Sequence, residues 1–309
     1  MKKIIFLILL PAFVIPALQA VASSPQRGGS LTVCQPAEPL GLDPTANTAA
    51  AIDRVVYANI FEGLIKVDSN GRFVPGLATE WSVSQDGLTY RFNLRKGVQF
   101  HNGEVFDAQV AKWNLERAMG EGTVNPHPEY FRGIQKIDIV DTHTLRIVLK
   151  KVDALFIARM AEGDAVMLPM KGYEQAKSNP IGTGPFRFVT WLRGDRVEMQ
   201  RFDAYWDPGL PYLDRVIFKF IGDTSAQIAA LKAGDIDVIG YVGAPEAVIG
   251  LSKDPQFKVF AGASTGEVIM STNNKAKPFD DVRVRQAMAY AIDRQTVVDL
   301  VMFGYGTPI

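Results

Sequence analysis

Residues 181–206 read IGTGPFRFVTWLRGDRVEMQRFDAYW, and this stretch decides how the rest of the chain is organised. Gly182-Thr183-Gly184-Pro185 makes a corner. Gly182 is free to take φ > 0, and Gly184 precedes a proline, which disfavours the helical region. An apolar-rich strand follows from Phe186 to Trp191, with Phe186 and Phe188 as packing anchors. Leu192 to Asp195 reads as a turn, and Arg196 to Arg201 as a return strand with Val197 and Met199 on one face. A glycine pair beside a strand also raises a phosphate cradle. Here no helix follows the glycines, no Lys-Ser/Thr pair is present, and Pro185 removes an N–H, so the structural corner is the better reading.

On the N-terminal side of this hairpin, the spacing predicts a helix over 53–65, with Val56, Ile60 and Phe61 on one face. Several hairpins follow. Lys66–Asp68 and Phe73 flank an Asn70-Gly71 turn, Trp81 and Val83 precede Asp86-Gly87, and Tyr90, Phe92 and Leu94 face one way on the return. Asp107 caps a helix carrying Ala111, Leu115, Ala118 and Met119. Ile137–Val140 and Thr144–Leu149 make a further hairpin, and short helices are expected near 154–162 and 171–178.

On the C-terminal side, Asp214–Phe220 reads as a strand. A helix over 226–233 follows, capped by Thr224 or Ser225 and stopped by Gly234, and then a short strand over 235–238. This is the β-α-β order of a parallel sheet. Strands are expected at 257–260 and 267–272. Two helices follow, led by Asp280-Asp281 and by Asp293, with Val284, Ala287, Met288 and Ala291, then Val297, Leu300 and Val301, facing inward.

The N-terminus carries Lys2-Lys3, an apolar run from Ile4 to about Leu18, and Ala20-Val21-Ala22 as a small-x-small site. This reads as an export leader cleaved after Ala22; Pro11 and Pro16 argue against an anchor helix. Lysines and arginines match aspartates and glutamates at 33 each, so no charge excess points to nucleic acid. A single cysteine, Cys34, excludes a disulfide framework and a cysteine-based metal site.

Catalytic and metal patterns are weak. His101, His127 and His143 lack ligand spacing, Asp235 and Asp237 lack a third ligand, and Ser264 has no histidine near it in sequence. The expectation is a protein that is not an enzyme and carries no cofactor or resident metal.

The GTGPF…W…AYW run, together with Val74-Pro75-Gly76-Leu77-Ala78, Leu94-Arg95-Lys96-Gly97-Val98 and Pro278 to Ala287, resembles the family 5 extracytoplasmic solute-binding proteins of ABC importers, the peptide, nickel and opine group. The resemblance covers the chain from about Gly28 onward. It implies an α/β, two-lobed, periplasmic-binding-protein-like fold of the hinge-closing type II kind, with an inserted α+β subdomain. The expected division is a signal peptide over 1–22, a first lobe over 23–65 and 150–239, the inserted subdomain over 66–149, and the start of a second lobe over 240–309. Because members of this family are substantially longer, the second lobe is expected to be incomplete and the sequence to be a partial one.

The same resemblance implies a monomeric periplasmic protein that captures a peptide-like solute between its lobes and hands it to the permease subunits of an importer. Nickel or metallophore binding is the alternative within the family. A non-binding interaction module is the alternative outside it. Asn273 and Asn274, at the end of the strand before the 282–291 helix, correspond to asparagines that lie at the ligand in oligopeptide-binding members. Thr265 and Gly266 are the next candidates. Glu38, in the proline-rich loop 36–44 after the first strand, is the first-lobe candidate, since loops at strand ends expose polar groups above a sheet.

Overall fold

The structure, a computed structural model, describes residues 25–262 and 268–308. In chain order the elements are β1 (Ser30–Gln35), α1 (Ala50–Val56), β2 (Ile65–Val67), β3 (Phe73–Pro75), β4 (Ala78–Val83), β5 (Thr89–Leu94), α2 (Ala108–Met119), α3 (Glu129–Arg132), β6 (Ile134–Asp141), β7 (Thr144–Leu149), α4 (Phe156–Arg159), β8 (Phe186–Leu192), β9 (Arg196–Arg201), β10 (Arg215–Phe220), α5 (Thr224–Ala233), β11 (Val238–Ile239), α6 (Pro245–Ser252), α7 (Val282–Ala291) and α8 (Arg294–Val301).

The 186–201 stretch folds as the expected antiparallel hairpin, β8 on β9. It forms one side of a five-stranded sheet ordered β11-β1-β10-β9-β8. β1 runs parallel to both of its neighbours, while β10, β9 and β8 are antiparallel in turn. Alternation dictates which side is buried. Val216 sits opposite Met199 and Phe218 opposite Val197, and all four pack with Phe186 against Ile52, Val55 and Val56 of α1.

A second, four-stranded sheet is wholly antiparallel, in the order β4-β5-β7-β6. Tyr90 faces Ile147 and Phe92 faces Leu145, and α2 lays Ala111, Leu115 and Ala118 on them. Asp107 caps α2 as expected, accepting from the N–H groups of Gln109 and Val110. This core also takes in Leu64, Ile65, Phe156, Met160 and Met167, residues from both sides of the 66–149 segment.

A buried carboxylate ties the two sheets together. Glu62, 2% exposed, accepts from Thr183 Oγ1 (3.0 Å), Tyr205 OH (2.9 Å) and Trp206 Nε1 (2.8 Å). Arg95 lies 3.9 Å over the Trp206 ring and donates to the Gly76 carbonyl. Burial pushes the Glu62 carboxyl up, and the three donors and the Lys66 charge oppose that. The sequence blocks around Gly76, Arg95, Thr183 and Trp206 therefore meet at one joint.

Several expectations are corrected. α1 ends at Val56 instead of continuing toward Ile65, because Ala58 takes φ 59 and turns the carbonyls of Asn59 and Ile60 toward the 182–186 corner. Gly184 N–H and Phe186 N–H donate to them at 2.9 and 3.0 Å. Gly182 does not use a positive φ. It is glycine because a Cβ there would overlap the Ile60 carbonyl oxygen. Asp223 caps α5 in place of Thr224 or Ser225, accepting from Ala226 N–H at 2.8 Å. The 235–238 strand is reduced to β11, since Asp237 spends its carboxylate on Thr32 N–H (2.8 Å) at the sheet edge. The helices expected at 154–162 and 171–178 are only α4 with a 3₁₀ turn at Tyr173–Gln175.

Residues 257–262 and 268–272 form no strand, and strands need a paired neighbour to satisfy their backbone. α7 and α8 form with the expected Asp281 and Asp293 caps, yet neither buries a residue; Leu300 is 71% exposed.

Candidate functional site

The carboxyl ends of parallel strands are where an open α/β sheet offers a crevice. β1, β10 and β11 end at Gln35, Phe220 and Ile239, and the segments leaving them lie side by side. Ile221 N–H donates to the Gln35 carbonyl (3.0 Å) and Gly240 N–H to the Cys34 carbonyl (2.9 Å). The first turn of α5 borders the same crest, where Gln227 Nε2 donates to the Ile221 carbonyl at 2.6 Å. Arg54 of α1 stands 5.0 Å over the Tyr241 ring, linking α1 to the chain that leaves β11. Burial pushes the Cys34 thiol up and keeps it a neutral packing group.

Glu38 lies in the loop that leaves β1. Its Oε1 accepts from Trp191 Nε1 (2.8 Å) and from Gly194 N–H (3.0 Å), so the loop is pinned to the β8–β9 hairpin. Asn273 and Asn274 are exposed in a turn. Asn273 Oδ1 accepts from Lys275 N–H at 3.1 Å, and Asn274 Oδ1 from Thr272 Oγ1 at 2.9 Å. No hydrogen bond among the described residues joins Glu38 to either asparagine. Thr265 and Gly266 lie outside the described residues, as does the leader with its Ala22 site.

A separate cleft of about 320 Å³ is lined by Pro44, Asp53, Tyr57, His127, Glu162 and Asp164, among others. Asp53 is exposed as a residue, yet the desolvation its carboxyl meets at the cleft wall, with the nearby charges of Asp164 and Glu162, pushes its pKa up to about 6. Burial likewise raises the Tyr57 phenol to about 12, helped by the Asp53, Glu62 and Glu162 charges. His127 Nδ1 pairs with Asp164 Oδ2 at 2.7 Å, and its ring stacks on Tyr130. Such a lining disfavours an anion. Among the described residues no group of three histidine, cysteine, aspartate or glutamate side chains is placed to hold a metal.

His101 is a clasp for the 182–184 corner. Its Nδ1 accepts from Gly182 N–H at 3.3 Å and its Nε2–H donates to the Gly184 carbonyl at 2.9 Å, which fixes a neutral tautomer. Burial lowers its pKa to about 4, with the Gly184 bond opposing and the Arg187 charge assisting. The sequence reading missed both this role and the His127–Asp164 pair. Each joins residues many positions apart, and neither leaves a local spacing signal.

Comparisons with known proteins follow the same lines. The chain is 33% identical over 272 residues to the glutathione-binding protein GsiB of Pectobacterium atrosepticum, covering 86% of this chain and 52% of that protein. It therefore spans about half the length of the curated relatives it matches. Among solved structures, the oligopeptide-binding protein AppA of Bacillus subtilis, in complex with a nonapeptide, superposes with a TM-score of 0.80 at 26% identity. That match covers 93% of this chain and 58% of AppA. NikZ of Campylobacter jejuni, in complex with Ni(L-His), gives 0.79 at 27% identity, covering 90% and 56%. Residues 72–309 match the middle region of the bacterial extracellular solute-binding proteins of family 5, so the chain belongs to that family and carries its mixed α/β fold.

Proposed function

We propose that this chain belongs to the solute-capturing component of an ABC importer and that it receives a peptide-like solute at the crest formed by the ends of β1, β10 and β11. Its membership of family 5, beside relatives named for binding glutathione and peptides, carries the reading. The crest supports it: loop backbone, carboxamides and a carboxylate stand at the strand ends, where an extended peptide finds strand-like partners. In this reading residues 23–65 and 150–239 make a first lobe, 66–149 an inserted subdomain, and 240–309 the beginning of a second lobe that closes on the solute. Glu38 contributes from the first lobe, and Thr265, Gly266, Asn273 and Asn274 from the second. The protein works as a periplasmic monomer after removal of its leader and delivers to permease subunits, with no catalysis of its own. Capture of a nickel complex is the second reading, favoured by the likeness to NikZ.

Thermal unfolding of the full chain with glutathione, Met-Leu and Ni(L-His) tests these readings. A ligand that favours the folded state raises its midpoint. An upward shift with glutathione or Met-Leu supports the peptide reading, and one with Ni(L-His) alone supports the second. A cooperative transition moved by none of the three overturns both.

A further inference from the structure

Protein interiors pair nearly all of their buried polar atoms. The buried side chain of Asn114 shows this chain doing so: its Nδ2 donates to the Val110 and Leu168 carbonyls, and its Oδ1 accepts from Leu168 N–H. Among the described residues three buried side-chain atoms have no partner: Gln35 Oε1, Gln227 Oε1 and Arg117 Nε. Two of these three flank a single residue. Gln35 accepts from Ile221 through its main-chain carbonyl, and Gln227 donates to Ile221 through Nε2. Gln35 is 6% and Gln227 1% exposed, so neither is a surface side chain free to find solvent. Both stand at the crest, one closing β1 and the other in the first turn of α5.

Unpaired acceptors that recur at one place, in an interior where Arg117 Nε is the one other unpaired side-chain atom among the described residues, mark a site kept for something else. We propose that Gln35 and Gln227 contact the solute, their carboxamide oxygens accepting from its N–H groups, whether amide or ammonium. This rests on the peptide-binding reading above and adds the side chains that read the solute and the group they read. Gln227 Nε2 is held by the Ile221 carbonyl, so this residue has only its oxygen to offer, an acceptor that favours an aminated solute over a purely anionic one. Gly240 provides room for the exchange. The Gln35 Nε2 atom lies 2.6 Å from where a Cβ on residue 240 would stand, and glycine leaves that place empty. A half-turn of the Gln35 amide about its last bond swaps oxygen for nitrogen and presents the acceptor there.

The test compares Gln35→Leu and Gln227→Leu with the wild type in the full chain, reading the unliganded melting midpoint and the glutathione Kd by calorimetry. Leucine removes the unpaired acceptor at similar volume. The expected result is a midpoint equal to or above the wild type's, with glutathione bound about tenfold or more weakly. Kd values within twofold of wild type in both variants overturn the proposal. Should either variant fail to fold, side-chain amide NMR of the ¹⁵N-labelled wild type decides: Gln35 and Gln227 NH₂ resonances that move with glutathione support it, and unmoved resonances overturn it. Wild type that binds neither glutathione nor Met-Leu removes the peptide reading and this inference together. Variants that bind as wild type does remove only this inference.

Discussion

At the residue scale, Glu62 and His101 act as fixed points. Glu62 holds Thr183, Tyr205 and Trp206, which lie 121, 143 and 144 positions away. Glu62→Ala strands these buried donors, and the expected loss is about 3 kcal/mol in urea unfolding. His101 makes stability depend on pH in a definite direction. Its folded pKa of about 4 lies below the ordinary 6.5, so the unfolded chain binds the proton more readily. Its contribution is complete above about pH 6.5 and is lost as pH falls from there toward 4, up to about 3 kcal/mol. His101→Gln, which keeps a donor and an acceptor but does not titrate, should flatten that part of the stability–pH curve. An unchanged slope between pH 6.5 and 4 would count against the clasp. Neither residue's role was legible in sequence, because each depends on partners brought together only by the finished fold. Asp53 acts in the opposite sense. A pKa raised to about 6 means that acid below that value removes first the cost of desolvating its charge and then its repulsion with Asp164 and Glu162.

At the scale of elements, local chemistry was readable wherever it was decisive. The β8–β9 and β6–β7 hairpins, the Asp107, Asp281 and Asp293 caps and the Gly234 stop all follow from period-two alternation and capping side chains. The failures are elements decided by neighbours. Residues 57–63 keep helical spacing and bury Ile60 and Phe61, yet they bend away to meet the 182–186 corner. Two glycine substitutions separate these regimes. Gly182→Ala drives a methyl into the Ile60 carbonyl and should cost several kcal/mol, about 3 or more, or prevent folding. Gly250, inside α6 with nothing near its would-be Cβ, should instead gain about 0.5–1 kcal/mol as alanine. Circular-dichroism melts of both variants check the pair.

Across the whole molecule, stability is unevenly distributed. Residues 30–239 build the five-stranded and four-stranded sheets with their buried clusters, and the small β2–β3 pair, whereas α7 and α8 show no buried residue. Amide exchange should therefore be fast through 282–301 and slow through β5, β7, β9 and β10; comparable protection in both regions would contradict this division. The site was only partly legible for the same reason. Glu38 was placed at a strand end correctly, but its bonds to Trp191 and Gly194 depend on a hairpin more than 150 residues away. The asparagines at 273 and 274 were expected to close a strand, and they sit in a turn without one.

The position of β1, inside the sheet between β11 and β10, has a consequence for the order of events. Its neighbours are β10 and β11, and Ser30 pairs with Arg215 and Val33 with Val238. β1, the first strand among the described residues, therefore has no partner until roughly two hundred further residues exist, and closing so long a loop is slow. A polypeptide that must pass through a narrow membrane pore as an extended thread gains from this delay. For the exported protein proposed above, β1 stays unpaired during passage, and the sheet locks only after β10 and β11 arrive.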